Sequence, residues 1–289
     1  MMRRTKSTMI ALRAGLKQIL EANRPCTIRQ LFYLAVSAGM IEKTEAQYKG
    51  VVVRLLTQMR ICGEVPFGWI ADNTRWVRKP ATYGSWEEAQ ENFAQAYRRD
   101  LWRTQPVAVE CWCEKDAIAG VLYDVTGEFD VPLYVMRGYP SITYLAEIAQ
   151  EIDARRKSTH VYYFGDLDPS GIDIARNVET RVRQFAPDAE IHFERVAVIR
   201  EQVIDLGLQT RPTKITDSRA RGFSGRSVEV DAIPPNTLRQ IVRRCIEQHI
   251  DRRALSVTRQ AEASERQIMM RIKGANPDRL LDFLDGESF

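Results

Sequence analysis

No apolar run in the 289-residue sequence approaches the length that spans a bilayer, which excludes a helical membrane protein. The five cysteines (Cys26, Cys62, Cys111, Cys113, Cys245) are odd in number and form no CxxC pair, and nothing like a secretory apolar region precedes them. Neither a disulfide framework nor a paired-thiolate zinc site is expected, and a reducing cytoplasm is the expected setting. A GxxxxGK[ST] loop is missing, so no nucleotide-hydrolysing domain is evident. Internal repeats and low-complexity tracts are missing too. What remains is a chain with 44% hydrophobic and 28% charged residues, long enough to bury a core and to divide into two or three domains.

Charge is unevenly placed. Residues 1–80 carry 14 Lys/Arg against 5 Asp/Glu, net +9, and the remainder carries 28 against 33, net −5. A basic front joined to a mildly acidic body is suited to a polyanion such as double-stranded DNA, although a solvated basic face has the same composition.

Within that front, Ile10, Leu12, Leu16, Ile19 and Leu20 recur at near-helical spacing before "NRPC" breaks the pattern. Thr27 is the expected N-cap of a second helix, "IRQLFYLAVSAG", stopped by Gly39. A third runs from Thr44 to a stop at Gly63. The segment "EVPFGWIADNTRWVRK" then alternates turn and apolar residues as a β wing would. These elements predict a winged helix over 1–80, with Lys49, Arg54 and Arg60 on the third helix facing phosphates. Trp86, Phe93 and Tyr97 predict a connecting helix within 81–105.

Beyond residue 106 the period changes. "VAVECWC", "VPLYVM", "HVYYFG" and "IHFERVAVI" read as strands, separated by helical stretches near 116–126, 141–156 and 170–185. Strand-helix alternation predicts an α/β layer with a largely parallel sheet. On the first strand Cys111 and Cys113 would share one face as small buried residues. A short helix, a polar loop, helices near 236–249 and 252–273 and the segment "VEVDAIPP" make a mostly helical extension over 201–289.

The carboxyl ends of parallel strands open a crevice, and Glu114, Asp166 and Asp168 all fall there. Three hard oxygen donors at one edge suit Mg²⁺. The peptide "GDLDPSGIDI" has rival readings. An EF-hand loop would require Glu where Asn177 stands, and a dehalogenase-type phosphatase would require Thr or Val at Ser170 and would leave Glu114 without a role. A turn that merely caps a helix accounts for the peptide alone as well as a metal site does.

Taken in order, "TIRQLFY", "ECWCEKDAIAGVL", "MRGYPS" and "GDLDPSGIDI" resemble the motifs of the topoisomerase VI A subunit and the related meiotic double-strand-break protein, over about residues 10–200. The resemblance implies a winged helix (1–80), a Rossmann-like Toprim domain (106–200), and Mg²⁺-dependent DNA cleavage and rejoining through a tyrosyl-5′-phosphate. On this reading Tyr33 is the nucleophile, Arg29 its phosphate-binding neighbour, and Glu114, Asp166 and Asp168 the metal ligands. Lys115 and Arg137 are further phosphate contacts, and Asp173 is either an outer acid or an ordinary first-turn acid. It also implies a homodimer in which Tyr33 of one copy meets the metal site of the other, and, without a P-loop here, a separate ATPase subunit for strand passage. A Toprim hydrolytic nuclease and a non-catalytic DNA-binding protein are the alternatives. Helical geometry adds one expectation: Tyr33 lies roughly 130° from the stripe Ile28, Leu31, Phe32, Ala35 and Val36, so it should project out of the core.

Overall fold

The computed structural model describes residues 6–71, 79–213, 223 and 225–272. In chain order these form α1 (Lys6–Asn23), α2 (Ile28–Ser37), α3 (Glu45–Gln47), a π-helical turn (Tyr48–Val53) and α4 (Arg54–Ile61). Then come α5 (Trp86–Ala96), β1 (Ala108–Cys113), α6 (Asp116–Thr126), β2 (Leu133–Val135), α7 (Ile142–Arg155) and β3 (Thr159–Phe164). The chain continues through α8 (Pro169–Phe185), β4 (Ile191–Ala197), α9 (Arg200–Asp205), a 3₁₀ turn (Val230–Ala232), α10 (Pro235–Glu247) and α11 (Arg252–Ile272). None of the described helices is long and apolar enough to cross a membrane.

Two compact units result, one from the described parts of 1–76 and 107–249, the other from those of 77–106 and 250–289. In the second, α5 and α11 pair through Tyr97 and Arg99 on Glu265, at 2.7 and 2.6 Å.

In the first unit the four strands form one parallel sheet in the order β2-β1-β3-β4. Every residue of β1 is buried, as a strand covered on both faces requires. Trp112, Val161 and Tyr163 face α7 and α8 in the main apolar cluster. Because side chains alternate, Cys111 and Cys113 point the other way, fully buried and unpaired as expected. The chain runs from β1 outward to β2, then returns past β1 to β3. The direction of winding therefore reverses between β1 and β3, where crevices form in such sheets.

The N-terminal helices form for local reasons. Thr27 and Gln30 make a reciprocal capping box at the start of α2, at 3.0 and 2.9 Å. Thr44 caps α3, and Gly39 and Gly63 adopt the left-handed φ of +68° and +74° that ends a helix. The third helix forms from Glu45 to Ile61, but with a π turn through Gly50. Residues 67–69 of the expected wing form a 3₁₀ turn leading to an isolated bridge between Cys26 and Ile70. Residues 72–78 of that wing lie outside the described residues, as does most of the polar loop after Thr213.

All three histidines of the chain meet on one side of the sheet. His160 and His192 are cross-strand partners stacked at 4.5 Å, and the His249 ring lies 4.1 Å from His160. Gln248 donates to the Tyr162 hydroxyl at 2.5 Å, and that hydroxyl is 2.6 Å from His249 Nε2, so a neutral His249 accepts the tyrosine proton. Burial, then the neighbouring His160 and His192, bring His249 down to about 4. The unfolded chain therefore binds this proton from about pH 6.5 downward while the folded chain resists until about pH 4. Stability from this group is complete above pH 6.5 and is lost as pH falls toward 4. Water reaches the ring and screens the repulsion, so a loss of about 1 kcal/mol is expected. Urea midpoints measured from pH 7 to 4 should fall less steeply in His249→Gln than in the parent chain.

Candidate active site

Glu114 follows β1 and Asp166 follows β3, so both lie at the winding reversal. They are 8% and 5% exposed, and the Asp166 amide donates to Glu114 Oε2 at 2.9 Å. Such closeness depends on glycine. A methyl at Gly165 would stand 2.6 Å from Glu114 Oε2, and one at Gly171 would press into the Asp166 carbonyl oxygen. Arg195 on β4 fastens the loop from behind, donating to the carbonyls of Gly165 (2.9 Å), Asp166 and Gly171 (3.1 Å). Burial, then the charge of Asp166, push the Glu114 carboxyl up to about 7.

Asp168 is the N-cap of α8. Its Oδ1 accepts from the Gly171 amide at 2.8 Å with Pro169 in the first turn, so the capping reading of this peptide is correct as far as it goes. Its other oxygen meets Arg211 at 3.2 Å. Asp173 turns elsewhere, pairing with Arg176 at 2.6 Å and accepting from Tyr139 at 2.6 Å, and since α8 starts at Pro169 it stands past the first turn in which it was expected.

The segment around Val228 to Ala232 brings in two acids that the sequence analysis assigned no role. An isolated bridge pairs Val228 with Leu167, and the Val230 amide donates to Asp166 Oδ1 at 2.9 Å. Glu229 and Asp231 are thereby carried into the crevice. Lys115 Nζ sits between Asp166 (2.8 Å), Asp231 (3.2 Å) and Glu229 (3.9 Å). Burial opposes its charge, but Asp231, Asp166 and Glu229 outweigh burial and raise its proton affinity. Arg211 reaches Glu229 at 2.8 Å as well as Asp168. The signal for these acids was the alternation in "SVEVDA", where buried Val228 and Val230 leave Glu229 and Asp231 on the other side.

Tyr33 corrects an expectation. It does leave the apolar stripe of α2, but it is only 4% exposed, because α2 packs against the 3₁₀ turn and the Tyr33 ring lies under Lys43 Nζ at 5.1 Å. Helix periodicity places a residue relative to its own helix and carries no information about a second layer. Arg29, one turn earlier, stacks on the Tyr48 ring at 4.5 Å and approaches Glu229 at 3.8 Å. Burial and then Glu229 push the Tyr33 phenol well above its ordinary range, with Arg29 opposing.

Of the expected phosphate contacts, Arg29 and Lys115 lie in this network. Lys49 and Arg54 are exposed, Arg60 stacks on Phe67 at 4.8 Å, and Arg137 pairs with Asp116 at 3.1 Å.

Hard oxygens at a strand edge are the donors Mg²⁺ takes, and the raised Glu114 carboxyl marks a charge that an added cation would relieve. The chain's own cations stand against two of the three donors, Lys115 on Asp166 and Arg211 on Asp168. Among the described residues, no group of three or more His, Cys, Asp or Glu is drawn together as a metal cage. The donor chemistry fits the ion, and binding would require those two cations to yield. No protein-family model and no curated protein matches this sequence.

Proposed function

We propose that the chain is a Mg²⁺-dependent DNA-cleaving enzyme with a winged-helix and Toprim organisation, breaking and resealing strands through Tyr33 in the manner of the topoisomerase VI A subunit. The observation that carries this reading is the single charged network running from Arg29, one turn before Tyr33, through Glu229, Lys115 and Arg211 to Asp166 and Asp168. Residues at opposite ends of the motif order, 29 and 166–168, meet in it. The basic front and the resemblance of four ordered motifs add support.

Each residue then has a task. Arg29 and Lys115 supply positive charge that favours a phosphate and stabilises charge developing on it. Glu114, Asp166 and Asp168 would hold the magnesium ion, which supplies electrostatic stabilisation of phosphate oxygens. Lys49, Arg54, Arg60 and Arg137 extend phosphate contact along double-stranded DNA. The protein would act as a cytoplasmic homodimer, with strand passage left to a separate ATPase subunit.

A hydrolytic nuclease is the second reading, favoured by the burial of Tyr33. One assay separates them: end-labelled duplex DNA incubated with Mg²⁺ and resolved under denaturing conditions. Covalent protein on 5′ ends, lost in Tyr33→Phe and in Asp166→Ala, is expected. Free 5′-phosphate ends that depend on Asp166 and not on Tyr33 would establish hydrolysis instead.

A further inference from the structure

We infer that Glu229 and Asp231 are the acceptors that keep Lys115 and Arg211 inside the crevice when Asp166 and Asp168 are given over to Mg²⁺. The inference rests on the metal reading of those two donors proposed above. It gives a part in metal binding to two acids that lie outside the donor set.

Three observations carry it. First, both cations are shared in the same way, each between one expected metal donor and one acid outside the set. Lys115 Nζ is 2.8 Å from Asp166 and 3.2 Å from Asp231. Arg211 is 3.2 Å from Asp168 and 2.8 Å from Glu229, and Glu229 also lies 3.9 Å from Lys115. Second, the backbone ties the two acids to the sheet edge, since Val228 is bridged to Leu167 and the Val230 amide donates to Asp166 Oδ1 at 2.9 Å. Third, Asp231 is only 3% exposed, and its Oδ1 has no hydrogen-bond partner among the described residues. A buried acceptor without a donor is costly. An ammonium carries three N–H donors, so the carboxylate already paired with Lys115 has an open oxygen for the donor that leaves Asp166.

Withdrawing one partner from a buried ion pair is strongly unfavourable when it strands the other charge. A second acid already in contact turns that loss into an exchange of partners. Lysine suits such an exchange, because its ammonium is a compact charge on a flexible stem. The arms of the Arg211 guanidinium are already divided, Nη1 on Glu229 and Nη2 on Asp168, so releasing the donor frees one arm and leaves the other in place. Both positive charges stay beside the donors, where they favour an arriving phosphate.

The test uses the full chain with Mn²⁺ alone as the probe. Binding is read from loss of the free-ion electron paramagnetic resonance signal, with Mg²⁺ as competitor and Asp166→Asn defining binding at this site. Lys115→Met, Asp231→Asn and their double variant form one cycle. Arg211→Gln, Glu229→Gln and their double variant form a second, on a cation more exposed than Lys115 (38% against 28% of the side chain), which decides the matter if Lys115→Met does not fold. Lys115→Met should bind Mn²⁺ about tenfold more tightly, and Asp231→Asn about tenfold more weakly. With Lys115 already replaced, Asp231→Asn should change the affinity by less than about twofold, because no ammonium remains to be received. In the second cycle the effect of Glu229→Gln should shrink once Arg211 is replaced, without vanishing, since Glu229 also lies near Lys115. If Asp231 acts only as one more negative charge, or as a ligand itself, its loss persists undiminished in the Lys115→Met background. Such additivity would overturn the inference, as would parental affinity in Lys115→Met. Failure of the metal reading is separately visible, as Mn²⁺ binding that Asp166→Asn leaves unchanged, and it removes the inference with it.

Discussion

Arg155→Met is expected to destabilise the first unit by about 3–5 kcal/mol, because it strands a buried carboxylate. Glu110 lies in the middle of β1 and is fully buried. Its two oxygens have one partner each: Trp112 Nε1 at 2.8 Å, and the Arg155 guanidinium reaching over from the end of α7. Burial pushes the Glu110 carboxyl up even with Arg155 present, so the pair is under tension between desolvation and attraction. Removing the arginine leaves desolvation opposed by the Trp112 hydrogen bond alone. The double variant Glu110→Gln with Arg155→Met should recover most of the loss, since the amide oxygen still accepts from Trp112 and no charge remains to be desolvated. Urea denaturation of parent, single and double variants measures this. A single variant within about 1 kcal/mol of the parent would mean that water reaches Glu110 after all.

The second large effect is expected at Gly171→Ala, where two physical effects have opposite signs. Gly171 is in the first turns of α8, and alanine in place of helical glycine normally stabilises by about 1 kcal/mol. Here the added methyl would press into the Asp166 carbonyl oxygen and stand 3.0 Å from Glu114 Oε2. Asp166 cannot retreat, since Arg195 ties its carbonyl and Val230 its side chain. Overpacking of this kind typically costs about 1–3 kcal/mol, so collision wins. Gly50→Ala is the control: no atom lies within 4 Å of its methyl position, and it should be neutral or slightly stabilising. If both variants unfold at the parental urea concentration, the loop is softer than these contacts imply. Under the proposed function, loss of the Asp166 and Glu114 alignment should also abolish DNA cleavage in Gly171→Ala while leaving Gly50→Ala active.

The sheet was legible because its signal is local. Each strand is an apolar run bounded by turn residues, and the four stretches named from sequence contain β1, β2, β4 and all of β3 except Thr159. Thr27, Thr44, Gly39 and Gly63 marked helix ends for the same reason, since a cap is chosen by its own few neighbours. Asp166 and Glu114 followed from the rule that parallel strands open at their carboxyl ends. Glu229 and Asp231 did not follow, because what gives them meaning is a two-residue bridge between Val228 and Leu167, a pairing more than sixty residues apart in sequence. Tyr33 was misplaced for a related reason: its periodicity is a property of α2, and its burial is a property of the 3₁₀ turn and Lys43.

The first unit is also discontinuous, interrupted by residues 77–106 and completed only at 249. During synthesis the amino-terminal helices emerge early, at a pace of about 5–20 residues per second. Tyr33 would then wait for residues 230–232 to leave the ribosome before α2 gained the turn that covers it. Closing so long a loop adds little to its entropic cost, which grows only logarithmically with length. Its effect is on timing: under the proposed function, a truncated or stalled product would carry the tyrosine and the basic front without Arg211 and Glu229, and so would hold DNA without cutting it.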